Sequence, residues 1–173
     1  MRKHSQGLAA GLAAIVLSAA GLAVATPASA ATPATVTQDG VNHTAVITVS
    51  DTVLEPGESF TVQTDFTNKT SSTGPAKLAI FVTGSGGQIL DIDSCTGPST
   101  ITTCAFDGTR YILEFPIGPA STETATITFD VRSDAPASKR GLSFESGISG
   151  ATTSGPSIPI DIVEPPAEAD LGV

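Results

Sequence analysis

Cys95 and Cys104 bound the stretch CTGPSTITTC and are the only cysteines in the chain. Their chemistry depends on compartment, because an even pair close in sequence is expected to be oxidised outside the cytosol. A redox pair would want the C-x-x-C spacing, and a metal site would want further thiolates; the sequence supplies neither. The expected product is a structural disulfide closing a loop that contains Gly97 and Pro98, a composition suited to a tight turn. By chain entropy such a staple contributes about 2 to 3 kcal/mol.

Nucleophilic catalysis needs a base beside its nucleophile. Apart from His4 near the start, the chain has one histidine, His43 in GVNHTAV, and its serines are abundant but unmarked. Lying just before a strand pattern, His43 is expected to be a solvent-exposed turn residue. Glu55 with Glu58, and Asp91 with Asp93, are the close carboxylate pairs, but EPGES and LDIDS place them at outward turn or strand positions. Asp91 and Asp93 would share a side of an extended segment and could offer hard oxygens to calcium, yet no D-x-D-x-D-G loop surrounds them. No catalytic residue, cofactor or metal is therefore assigned, and the chain is read as a non-enzyme. Glycan platforms are poorly supplied too, with no Trp and one Tyr, Tyr111, whose alternation with Leu113 and Phe115 turns it toward a core.

The segments that must position these residues differ in kind along the chain. Arg2 and Lys3 precede an apolar stretch from Gly7 to Val24, and Ala28-Ser29-Ala30 has the small-residue cleavage pattern, so residues 1–30 are expected to be a cleaved secretory signal peptide. No later segment is apolar enough to span a bilayer, and the final EPPAEADLGV makes residues 164–173 a Pro-rich acidic tail. Between them, residues 31–163 form one domain. From Ala31 onward six basic residues face all 17 acidic ones, a net charge of −11. That balance repels phosphate backbones and anionic lipids, so neither nucleic acid nor a membrane is an expected partner. Asn42-His43-Thr44 and Asn68-Lys69-Thr70 match the glycosylation pattern, which a Thr-rich chain also produces by chance.

Apolar residues recur at every second position from Thr44 onward, and Gly, Pro, Asn and Ser clusters break the runs. The aligned sets are Ala45, Ile47 and Val49; Phe60, Val62, Thr64 and Phe66; Leu78, Ile80 and Val82; Tyr111, Leu113 and Phe115; and Ala125, Ile127, Phe129 and Val131. Leu142 with Phe144, and Ile158 with Ile160 and Ile162, add two more runs, the last confined to an edge by Pro159. Pro56-Gly57 fits the centre of a type II turn. No helical period competes, and the pattern predicts an all-β, Ig-like antiparallel sandwich of about 7–9 strands.

Pro56-Gly57 followed by Phe60, Val62 and Thr64, then Thr67-Asn68, Gly74-Pro75-Ala76, the two cysteines, and Ile117-Gly118-Pro119 through Phe129 and Val131, are similar to the conserved-repeat domains of bacterial secreted and surface proteins, the domain-of-unknown-function eleven group. The likeness spans about Val49 to Asp134; the family's paired asparagines after the last strand are missing, and no internal repeat is present. ADLGV resembles the opening of a following repeat. The resemblance implies an Ig-like spacer or interaction module with no catalytic residues. CAFDGTRY and the short cysteine loop also resemble the neocarzinostatin group of secreted acidic carriers, although one disulfide is available here rather than two. The expected function is a secreted, non-catalytic interaction or structural module, monomeric, with an extracellular protein or cell-wall component as partner. A small-molecule carrier, or an enzyme inhibitor presenting the loop Gly97–Thr103, is the alternative.

Overall fold

The computed structural model describes residues 30–165 apart from 85, 86 and 99. Positions 1–29 of the expected signal peptide and positions 166–173 of the expected tail lie outside the described residues. Among the described residues twelve strands follow one another: β1 Ala34–Asp39, β2 His43–Val49, β3 Val53–Leu54, β4 Ser59–Asn68, β5 Gly74–Thr83, β6 Leu90–Thr96, β7 Thr103–Phe106, β8 Tyr111–Ile117, β9 Thr122–Val131, β10 Ser138–Ile148, β11 Ala151–Ser154 and β12 Ile158–Ile162. No helix among the described residues is long and apolar enough to cross a membrane.

The strands form two sheets packed as a sandwich. Sheet A runs β1-β2-β4-β9-β6, and sheet B runs β3-β12-β10-β5-β8-β7 with β11 also paired to β10. Every aligned apolar set read from the sequence lies on the inner face of its sheet, because period-two alternation matches the pleat and only one face can leave water. Phe60, Phe66 and Phe129 from sheet A, and Phe115, Phe144 and Tyr111 from sheet B, are large side chains there, each almost wholly buried. Full burial of such a side chain contributes roughly 1.5 to 3 kcal/mol.

Two expectations need correction. Among the described residues twelve strands replace the seven to nine expected, because β1, β3, β6, β7 and β11 are short, irregular or mostly polar and carry too little alternation to be counted. The arrangement is also not wholly antiparallel, since β3 runs parallel to β12 through Asp161↔Val53 and Ile162↔Leu54. Pro159 is tolerated because β3 covers only the far end of β12, so one side of Pro159 has no strand to bond. The Pro56-Gly57 turn is as expected: Gly57 has φ +87° and the Glu58 amide donates to the Glu55 carbonyl at 3.1 Å.

Asn68 ties three segments together at the end of β4. It is completely buried, its Nδ2 donates to the Ser72 carbonyl at 2.9 Å and the Gly118 carbonyl at 2.8 Å, and its Oδ1 accepts from the Thr70 amide and hydroxyl. The Asn68 acceptor pattern is thus unavailable to a glycosylating enzyme in the folded chain. Replacing Asn68 with Ala orphans several buried polar groups at once and is expected to cost about 2 to 3 kcal/mol. A urea titration checks this; a loss below about 0.5 kcal/mol, the range of ordinary surface substitutions, would show that water substitutes for the amide.

Candidate functional site

Cys95 and Cys104 are joined in a disulfide with a Cα–Cα distance of 6.4 Å. The loop between them is not the tight turn expected. Cys95 lies on β6, the edge of sheet A, and Cys104 lies on β7, the edge of sheet B, so the segment between them crosses from one sheet to the other. Both side chains point inward and pack against the core. A bond that locks two edge strands across a sandwich restrains the point where the sheets would part first.

Two residues past Cys104, an open cleft of about 350 Å³ enters the end of the sandwich. Its lining is Val82, Gly87, Gln88, Phe106, Gly108, Thr109 and Tyr111. Tyr111 forms the floor: it is 2% exposed, and its hydroxyl donates to the Leu90 carbonyl at 2.6 Å. Burial pushes the phenol pKa up to about 12. Phe106 lies against Tyr111 with ring centroids 4.7 Å apart and remains 36% exposed. The wall beside it is the β7–β8 turn, held by Asp107, which accepts from the Thr109 amide and hydroxyl, the Arg110 amide and the Arg110 Nε. Those donors keep the Asp107 carboxyl far below the usual carboxylate range. Gly108 has φ +98°, which this tight turn requires.

At the opposite end the interior is polar and sealed. His43 is not the exposed turn residue expected; it opens β2, faces inward with Ala45 and Ile47, and is 1% exposed. The loop Gly40–Asn42 is short enough that the alternation of β2 already begins at His43. Its ring stacks on Phe66 at 5.1 Å, and its Nε2 lies 2.9 Å from the Ser146 hydroxyl on the other sheet. Gln38 beside it donates to the Phe144 carbonyl at 2.8 Å. Among the described residues this histidine–serine pair resembles a nucleophile and its base, and sequence reasoning missed it because the partners are far apart in the chain. It is closed to substrate, since Ser146 is 0% exposed. It joins the sheets as a polar contact.

The carboxylate pairs stay on the surface. The Glu58 carboxylate accepts from the Glu55 amide at 2.8 Å within the turn. Asp91 and Asp93 are both exposed with half-buried Ile92 between them, Asp91 lies 3.8 Å from Arg132, and a register shift between Ile92 and Ser94 puts Asp93 at a bulge. Among the described residues no group of three or more His, Cys, Asp or Glu side chains is placed to hold a metal.

The outward faces differ in chemistry. Sheet A presents Thr35 and Thr37, Thr44 and Thr48, Thr61 and Thr67, and Thr124, Thr126 and Thr128, bonded across strands at Thr35–Thr48 and Thr67–Thr122. Sheet B instead presents half-buried Phe81 and Ile112 and exposed Ala105, with the Arg110 guanidinium 5.8 Å above the Phe81 ring.

The fold and these surfaces define an all-β, Ig-like sandwich with one inter-sheet disulfide. No family model and no curated protein matches the chain. Among solved structures it is similar to a cohesin module from a family 33 glycoside hydrolase of Clostridium perfringens, at 14% identity over 73% of this chain and 100% of that one, with a TM-score of 0.48. It is also similar to a non-cellulosomal cohesin from the archaeon Archaeoglobus fulgidus, at 13% identity over 65% and 86% with a TM-score of 0.42. A family 123 glycoside hydrolase from Clostridium perfringens is similar at 10% identity over 65% and 22%, with a TM-score of 0.44. These likenesses assign neither partner nor activity.

His43 yields a prediction about pH. Burial, then the nearby Lys69 charge, lowers its pKa from the ordinary 6.5, against the opposing pull of Asp39. Between the folded and unfolded values the unfolded chain binds more protons, so the stability from neutral His43 is complete above about pH 6.5 and is lost as pH falls toward the folded value. Urea midpoints measured across this range are expected to decline more steeply for the native chain than for His43→Gln. Parallel declines would assign the acid sensitivity elsewhere.

Reduction of the disulfide gives a second prediction. Cys95→Ser with Cys104→Ser is expected to lower unfolding free energy by about 2 to 3 kcal/mol. Urea unfolding of the oxidised protein and the double variant measures it, and equal midpoints would show that the core alone fixes the two edges.

Proposed function

We propose that the protein is a secreted, non-catalytic module that engages an extracellular protein or wall polymer through the outward face of sheet B. The observation that carries this reading is the patch of Phe81, Ile112 and Ala105 capped by Arg110. Register places Ala79 of β5 opposite Ile112 of β8, and Ala105 of β7 opposite the same Ile112, so the apolar groups are contiguous across three strands. Aromatic and arginine side chains are the types that dominate interface energetics, and a guanidinium on an aromatic face is already partly desolvated. The threonine face of sheet A has no such group beyond Val46.

Export is part of the proposal. It is supported by the basic and then apolar opening with its small-residue site before Ala31, and by a disulfide, which persists in oxidising compartments. The likeness to conserved-repeat domains agrees with a spacer or interaction role. The His43–Ser146 pair is buried, so its serine oxygen is closed to an external carbonyl carbon.

The test is retention of culture proteins and wall fragments by the immobilised protein, compared with a Phe81→Ser, Ile112→Thr double variant whose melting curve confirms its fold. Native retention is expected, with a loss of about tenfold or more in the variant. Equal retention by both would move the interface elsewhere, and no retention by the native protein would end the reading.

A further inference from the structure

We propose that the cleft at the Tyr111 end is a binding site for a small planar ring compound bearing a hydrogen-bond donor. This goes beyond the sheet-face reading and uses a different surface, because Phe106 and Tyr111 face the inner side of sheet B while Phe81 and Ile112 face outward. A cleft of about 350 Å³ is at the small end of the range that holds ligands, which suits one or two fused rings rather than a peptide.

Three features of the lining choose the chemistry. First, Phe106 lines the cleft and keeps a third of its surface in water although its neighbour Tyr111 is buried, so aromatic surface is left at the mouth for a flat ring to cover. Second, Gln88 lines the cleft and uses its Nε2 on the Leu90 carbonyl at 3.0 Å and on Asp91 Oδ1 at 3.1 Å, so the capacity its amide has left is that of an acceptor, for a ligand N–H or O–H. Third, the charges beside the cleft are already paired, Asp91 with Arg132 at 3.8 Å and Arg110 with Asp107 and the Phe81 ring, which suits a neutral ligand better than an ion.

The walls are also built to stay in place. The disulfide fixes β7 two residues before Phe106, and four hydrogen bonds to Asp107 hold the turn that carries Gly108 and Thr109. A preformed cleft spends little binding energy on ordering itself.

Tyr111 is the only tyrosine and the chain has no tryptophan, so intrinsic fluorescence reports from the floor of the cleft. The probe is 2-naphthol, a neutral fused ring with one hydroxyl donor whose absorption overlaps tyrosine emission. Titration into the oxidised chain is expected to quench Tyr111 saturably. Phe106→Ala should weaken binding roughly five- to tenfold through the lost stacking, and Gln88→Ala, an exposed position that leaves the core intact, roughly threefold. Val41→Ala, at the exposed turn of the opposite end, should bind as the native chain does. Quenching that never saturates, or an affinity unmoved by both Phe106→Ala and Gln88→Ala, would overturn the site. An equal loss in Val41→Ala would do the same.

Discussion

Two edge-on aromatic contacts across the midplane set the spacing of the sandwich. Phe66 of sheet A meets Phe115 of sheet B with ring centroids 6.2 Å apart and planes at 87°, and Phe129 meets Tyr111 at 4.9 Å and 76°. Edge-to-face geometry places the positive rim of one ring on the negative face of the other, so each contact adds direction to a driving force that has none. Around them Ile47, Val62, Leu78, Ile80, Leu113 and Ile127 fill the interior with almost no exposure. The seven phenylalanines are few, but five are spent here, which is why an interior without tryptophan still closes.

The two ends of this interior are finished differently, and the difference separates stability from recognition. Near Phe66 the gap is filled by His43, Ser146, Gln38 and Asn68, all buried, with hydrogen bonds that run from one sheet to the other or into adjoining loops. Buried polar contacts of this kind add specificity to the register of two faces that hydrophobic packing alone would let slide. Near Phe129 the gap is left partly open above Tyr111, where Asp107 holds the β7–β8 turn and the disulfide anchors β7 two residues before Phe106. Rigid loops over an unfilled end of a sandwich are where this fold class has room for ligands.

The outward surfaces continue the division. Threonine suits an exposed strand position because its branched carbon favours the extended backbone while its hydroxyl meets water, and sheet A uses it across neighbouring strands. Asp65 and Asp130 on its central strands accept from Thr124 and Ser59 and keep that face solvated. Sheet B has the opposite character on its central strands, where Phe81 and Ile112 interrupt the polar alternation. Their exposure is small enough to be tolerated in an isolated domain and large enough to anchor a contact.

Much of the sandwich was legible before any coordinates, because a period of two is a local property and each of its seven long runs fixed the inward residues of one strand. Gly57 in its turn and the inward direction of Tyr111 follow from the same local rules. The short strands β1, β3, β7 and β11 were not legible, since they form by completing a neighbour's hydrogen bonds rather than through any pattern of their own. The cysteines could be paired from composition, but that their bond crosses between sheets depends on β6 and β7 lying on different edges, which no spacing encodes. His43 is the plainest case: its neighbours in sequence read as a turn, while Phe66 and Ser146, brought from distant positions, make its surroundings a core. Alternation decides which way a side chain points, and only the packing of one sheet on another decides what it meets there.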